Sequence, residues 1–256
     1  MFTRNVLASL IIGLTPVSAA IASGGDGPAI PSQDWSFSGA FGTYDKAAMQ
    51  RGYKIYREVC ASCHAMKRVY FRNLEALGYN EAQIKNIAAE YTVINKDPND
   101  EGDMFERSGL PSDAFISPFA NDNAAKYANG GALPPDLSLM TKARGNGSNY
   151  VHALITGYVE HPPHGEEVAE GQYWNTYFPG HKLSMAPPLM EGQVSYEDGT
   201  PETLDQYAQD VVQFLTWAAD PHMEERKSTG FKVIIFLLIF AGVMLSVKRK
   251  IWSDAH

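Results

Sequence analysis

Cys60-Ala61-Ser62-Cys63-His64 is the stretch on which the reading of this chain turns. The spacing Cys-x-x-Cys-His is that of a c-type haem attachment site. The chemistry explains the spacing. Two thiols add to the two vinyl groups of one porphyrin, and the residue that follows brings an imidazole against the iron from the same side, as in ordinary proximal ligation. These are the only 2 cysteines in 256 residues. The motif therefore predicts one covalently bound haem c per chain, held by Cys60 and Cys63, with His64 as a metal ligand. A thioredoxin-like redox pair shares Cys-x-x-Cys but belongs beside a βαβ pattern, and none is visible. A zinc site wants four ligands, commonly two pairs, and there is no second pair.

Upstream of the motif, Met49, Tyr53 and Tyr56 recur at three- to four-residue spacing and predict a helix over 45–60. Ile84, Ile87, Ala88 and Tyr91 predict a second over 80–91, and a third fits 148–159. A fourth fits 203–219, where Leu204, Tyr207, Ala208, Val211, Val212, Phe214 and Leu215 keep helical period until Asp220-Pro221 stops it. The stretches 92–147 and 160–202 are rich in Gly, Pro, Asn and Asp and are expected to be long loops, which usually carry function. β-branched alternation is scarce and no repeat of 20–50 residues is present. The fold class expected is mainly α, with long loops.

Both ends differ from the body. The first 22 residues put a basic start before a short apolar run and small residues, the pattern of a cleaved signal peptide. Near the C-terminus the chain is apolar almost throughout 231–247 and then reads Lys248-Arg249-Lys250. A bilayer core takes about 20 helical residues, so one C-terminal transmembrane helix over 228–250 is expected. The three cations place the tail 251–256 in the cytoplasm by the positive-inside rule. Export puts the body, 23–227, on the other face, which in a bacterium is the periplasm. The formal net charge of −8 disfavours a nucleic-acid partner and suits a basic protein partner.

Opposite His64, a methionine thioether would raise the reduction potential and suit electron transfer. Met185 sits in a proline-stiffened loop, Pro179-Gly180-His181-Lys182-Leu183-Ser184-Met185-Ala186-Pro187-Pro188. Met140 and Met190 are its nearest competitors by spacing, and His152, His161, His164 and His181 are alternative ligands.

The chain resembles the cytochrome c1 family, the haem subunit of the cytochrome bc1 complex, in its bacterial form. The resemblance runs over about 34–253. It rests on Arg51-Gly52-Tyr53 through the haem motif, Asn129-Gly130-Gly131-Ala132-Leu133-Pro134-Pro135-Asp136-Leu137-Ser138, Tyr173 through Phe178-Pro179-Gly180, Met185-Ala186-Pro187-Pro188, Asp198-Gly199-Thr200-Pro201 and the C-terminal anchor. It implies a c-type cytochrome domain with Met185 as the second axial ligand. It also implies a haem pocket lined by Asn129, Leu133, Pro134, Pro135, Tyr150, Ile155 and Phe178, and Arg144 beside a haem propionate. Some bacterial relatives carry an extra disulfide in the loop before the axial methionine. This chain has no cysteines for it, so stiffness there must come from Pro162, Pro163, aromatics or a partner.

The function implied is a relay, not a catalyst acting alone. In the resemblance, an electron arrives from the Rieske iron–sulfur subunit and leaves to a soluble cytochrome c, within a dimeric complex that also contains cytochrome b. Acidic clusters at 97–103, 166–170 and 197–198 are candidates for steering a basic acceptor. Two rivals remain at this stage: an independent anchored electron shuttle, and a haem enzyme such as a peroxidase, which needs an open iron position.

Overall fold

The computed structural model describes residues 27–95, 97–163 and 165–253. The expected signal segment lies outside them. The body is built on two long helices, α1 (Lys46–Glu58) and α6 (Leu204–Ala219), that pack across one another. Asp45 caps α1 by accepting from the backbone N–H groups of Ala47 (2.9 Å) and Ala48 (3.2 Å), and Thr203 caps α6 through Gln206 N–H. The crossing is close because Gly52 faces α6. A Cβ at that position would collide with the Asp210 carbonyl and lie 2.8 Å from Phe214 Cβ. Beside it Asp210, 1% exposed, accepts from Arg51 Nε (2.8 Å) and Nη2 (2.9 Å), from Tyr196 Oη (2.9 Å) and from Gln206 Nε2 (3.2 Å).

Around this crossing lie α2 (Glu81–Ala89), α3 (Asp122–Ala128), α4 (Met140–Ala143) and α5 (Gly147–Thr156), with α4 and α5 both against α6. Tyr53, Tyr56, Phe71, Phe115 and Phe214 form an aromatic core through ring contacts of 5.1–5.8 Å. Such pairs add to simple area burial.

The four helices predicted from apolar spacing are present, with ends within three residues of the expected ones: Asp45, Asn80 and Thr203 act as caps rather than helical residues, α6 ends at Ala219 as expected, and α5 starts one residue early at Gly147 and stops at Thr156. The fold is mainly α with long loops, as expected, and the loop-rich stretches hold short elements as well. The stretch 92–147 holds an antiparallel pair, β1 (Thr92–Ile94) with β2 (Glu106–Ser108), together with α3 and α4. The stretch 160–202 holds a second pair, β3 (Tyr173–Trp174) with β4 (Lys182–Leu183). These pieces are too short for periodicity to declare them.

The C-terminal helix α7 (Met223–Trp252) has 30 residues, and its apolar stretch is exposed throughout. It is long and apolar enough to cross a membrane. That exposed face is what a lipid-facing helix presents and what a core helix does not.

Candidate haem site

The haem motif follows directly from the end of α1. Val59 leaves helical geometry, and Cys60–Ser62 form a 3-10 turn in which His64 N–H donates to Cys60 O (2.9 Å). That single turn gathers Cys60, Cys63 and His64. Burial pushes the Cys60 thiol up to about 12.

A second segment is clamped on the motif. Asp136 accepts from Lys67 N–H (2.9 Å) and Ser138 N–H (2.8 Å), Ser138 Oγ accepts from Arg68 N–H (3.1 Å), and Leu137 N–H donates to Ala65 O (2.9 Å). This brings Pro135 O to 2.8 Å from His64 Nδ1. A carbonyl oxygen only accepts, so Nδ1 carries the proton and the Nε2 lone pair is left for a metal. Burial lowers the His64 pKa and opposes the charged form, with the Pro135 bond pulling the other way. A neutral imidazole, oriented by a backbone carbonyl and next to two thiols in one turn, is the donor set that a covalently bound haem requires. The residues fit the group.

The cleft of about 360 Å³ at this point is lined by Cys63, Leu133, Pro134 and Pro135, among others. Arg144 lines an adjoining cleft of about 710 Å³, with Pro135, Tyr70 and Met140 on its walls. The Arg144 side chain is exposed, and its hydrogen bond goes to Ala143 O (3.2 Å). Asn129 closes the C-terminal end of α3, with Nδ2 donating to Ala125 O (2.7 Å).

Tyr150, Ile155, Phe178 and Met185 belong to a second group that lines neither cleft. Tyr150 and Ile155 are on α5. The segment 173–185 is fastened to the end of α5 by Asn175, which is fully buried. Its Nδ2 donates to Leu154 O (2.7 Å), and its Oδ1 accepts from the N–H groups of Tyr177 (3.0 Å) and Phe178 (3.1 Å). Tyr158 Oη donates to Met185 O (2.9 Å), and burial together with the neighbouring Tyr150 raises its pKa. The His181 ring stacks on Trp174 at 4.8 Å, with Nδ1 3.1 Å from Asn175 O. These contacts tie down the half-buried Met185 segment; Tyr158 and Trp174 are among the aromatics expected to stiffen it, and Asn175 adds a polar anchor that was not expected.

Met190 is 67% exposed. Met140 packs against the core and also lines the cleft of about 710 Å³, so position alone keeps it a competitor of Met185. His152 is buried against Asp205 Oδ1 at 3.1 Å, out of line for a good hydrogen bond. His161 is exposed, and His164 lies outside the described residues. Sequence inspection missed Tyr158, Asn175 and the clamping role of Asp136. Only Asp136 had a visible signal, an Asp two residues before a Ser after a diproline, where a side-chain-to-backbone turn is favoured.

Residues 35–255 match the profile of the Cytochrome C1 family. The chain is 50% identical to cytochrome c1 of Rhodospirillum rubrum over 89% of each chain. It is 50% identical to a mitochondrial cytochrome c1 heme protein of Solanum tuberosum over 87% of this chain and 85% of the relative. It is also 50% identical to cytochrome b/c1 of Bradyrhizobium diazoefficiens, covering 91% of this chain and 36% of that longer protein, so it spans about a third of that relative's length. With a match over more than four-fifths of its length, the chain belongs to the cytochrome c1 family.

Proposed function

We propose that this chain is the haem-bearing relay of a quinol–cytochrome c oxidoreductase, taking electrons from a Rieske iron–sulfur protein and passing them to a soluble cytochrome c. When bound, the haem supplies a one-electron couple whose potential is raised by His/Met ligation. Cys60 and Cys63 would hold it covalently, and His64 and Met185 would be the metal ligands. Pro135 fixes the His64 tautomer through its carbonyl, 2.8 Å away. Leu133 and Pro134 would line the haem beside the motif, Asn129, Tyr150, Ile155 and Phe178 would close over it once it is bound, and Arg144 would offer its exposed guanidinium to a propionate.

α7 is the single-pass anchor. Lys248, Arg249 and Lys250 favour the cytoplasmic side for its end, with the haem domain on the periplasmic side of a bacterial inner membrane. Cytochrome b is the partner within the bilayer, in a dimeric complex. The observation that carries the proposal is the bond between His64 and Pro135, which prepares Nε2 for iron within one turn of two cysteines.

The test has two arms. The affinity-purified chain should bring down a cytochrome b and an iron–sulfur protein, whereas an independent shuttle would come out alone. The ferrous protein mixed with a basic soluble cytochrome c should transfer electrons at a rate that falls with ionic strength. A salt-independent rate would remove acidic steering from the account. Asp198 pairs with Arg51 (2.8 Å) and Glu166 with Lys182 (3.5 Å), which weakens 197–198 and 166–170 as steering charge relative to 97–103.

A further inference from the structure

Residues 35–44 form a strap tied to the base of α7. Lys227 Nζ donates to Phe37 O (2.6 Å) and Gly42 O (3.1 Å). Tyr44 N–H donates to Glu224 Oε1 (2.7 Å), and Tyr44 Oη reaches Asp220 O (3.0 Å) on the turn between α6 and α7. At the tip of the strap the Phe41 ring is 79% exposed and meets Phe231 edge to face, with centroids 5.8 Å apart. Phe231 is the first residue of the long apolar run of α7.

The depth follows from helix geometry. Lys227 and Phe231 are four residues apart, about 6 Å along the axis. The headgroup layer on each side of a bilayer is about 5–7 Å thick. If Phe231 marks the hydrocarbon boundary, 227–230 crosses the headgroups and Phe41 sits at the boundary as well. Its neighbours Ser38, Gly39, Ala40 and Gly42 are small, so the ring is the one bulky group at the tip. An ammonium has three donors, and Lys227 uses two on the strap, which leaves one for a lipid phosphate.

We infer that this strap is a second membrane contact, in which Phe41 inserts at the headgroup–hydrocarbon boundary beside α7 and so fixes the tilt of the haem domain over the bilayer. The occupant is the lipid surface, because Phe41 is continuous with the exposed apolar face of α7. The inference rests on α7 being a membrane span.

The experiment uses the full, haem-loaded chain in vesicles of phosphatidylethanolamine and phosphatidylglycerol. Phe41→Cys, Leu238→Cys and Glu101→Cys are each tagged with an environment-sensitive thiol fluorophore. The native cysteines are consumed by the haem, so each tag is unique. The tag at 41 should be quenched by a lipid spin label near the headgroup, with iodide quenching several-fold weaker than at 101. If the tag at 238 is lipid-quenched while that at 41 is as open to iodide as that at 101, the strap inference falls and the span stands. If the tag at 238 is itself open to iodide, the span fails and the inference with it. If the tag at 41 is screened from both quenchers, a protein surface covers the strap, and the lipid assignment is wrong. Ala40→Cys repeats the measurement if Phe41→Cys lowers the haem content.

Discussion

Removing the buried carboxylate at the helix crossing should cost more than removing any other polar side chain of the body. Asp210 takes four hydrogen bonds from Arg51, Tyr196 and Gln206, and two of them form a bidentate pair with a guanidinium. In Asp210→Ala these donors lose their acceptor at a site that is 1% exposed. Breaking a buried ion pair on one side costs about 3–5 kcal/mol. Arg51 keeps Asp198, at 2.8 Å and nearly half exposed, which offsets only the outer edge of that loss. For a domain of this size each kcal/mol lowers Tm by about 2–4 °C, so the expected drop is roughly 6–20 °C. The assay is thermal unfolding of the ferrous protein in detergent, followed by far-UV circular dichroism and by the Soret band. Arg51→Met with Asp210→Leu should recover part of the loss, because the buried charge disappears together with its partner. A Tm drop under about 2 °C in Asp210→Ala, or a double variant worse than the sum of its parts, would refute the claim that this pair locks α1 to α6.

Gly52→Ala should destabilise by about 1–3 kcal/mol despite the better helix former, since the added Cβ meets α6 backbone; chemical denaturation with unchanged slope would check it. His152 has its pKa lowered by burial, with Asp205 opposing, so the unfolded state takes up the proton first. Stability is then complete above about pH 6.5 and declines below it, and His152→Phe should flatten that decline in denaturant titrations run from pH 8 to pH 5. The Thr200 backbone N–H and hydroxyl, with Arg51, hold Asp198 at about 2, below its usual 3.8. Its contribution is present above pH 3.8 and lost as pH falls through 2, so Asp198→Asn should flatten acid unfolding in that window. Asn175→Ala should leave α1 and α6 intact while loosening 173–185, seen as faster amide exchange there and a lower haem midpoint potential.

The predicted helices were legible because each buries a stripe of apolar residues, and three of the four start at a capping side chain, Asp45, Asn80 or Thr203. α3 escaped notice because only Ala125 on it is buried, which leaves no stripe to see. β3 and β4 escaped because two-residue strands carry no alternation and are held by Asn175 and by the Trp174–His181 stack. In the candidate site, Cys60, Cys63 and His64 can be named from the motif, and Met185 only from the family resemblance. The orienting groups were not, because they act through main-chain atoms. Pro135 holds His64 by its carbonyl, and Tyr158 holds the carbonyl of Met185, 27 residues further along the chain. A sequence shows side chains and their spacing; it does not show which backbone oxygen comes to face them.

The central claim is that one porphyrin is bonded to Cys60 and Cys63, with its iron between His64 and Met185. The intact mass of the exported protein, taken together with the visible spectrum of its ferrous form, tests it most directly. The account expects the mass of the mature chain plus one haem, with the low-spin six-coordinate spectrum of His/Met ligation that turns high-spin in Met185→Leu. A chain made beside working haem-attachment machinery that carries no added haem mass, or a spectrum that Met185→Leu leaves unchanged, would contradict it.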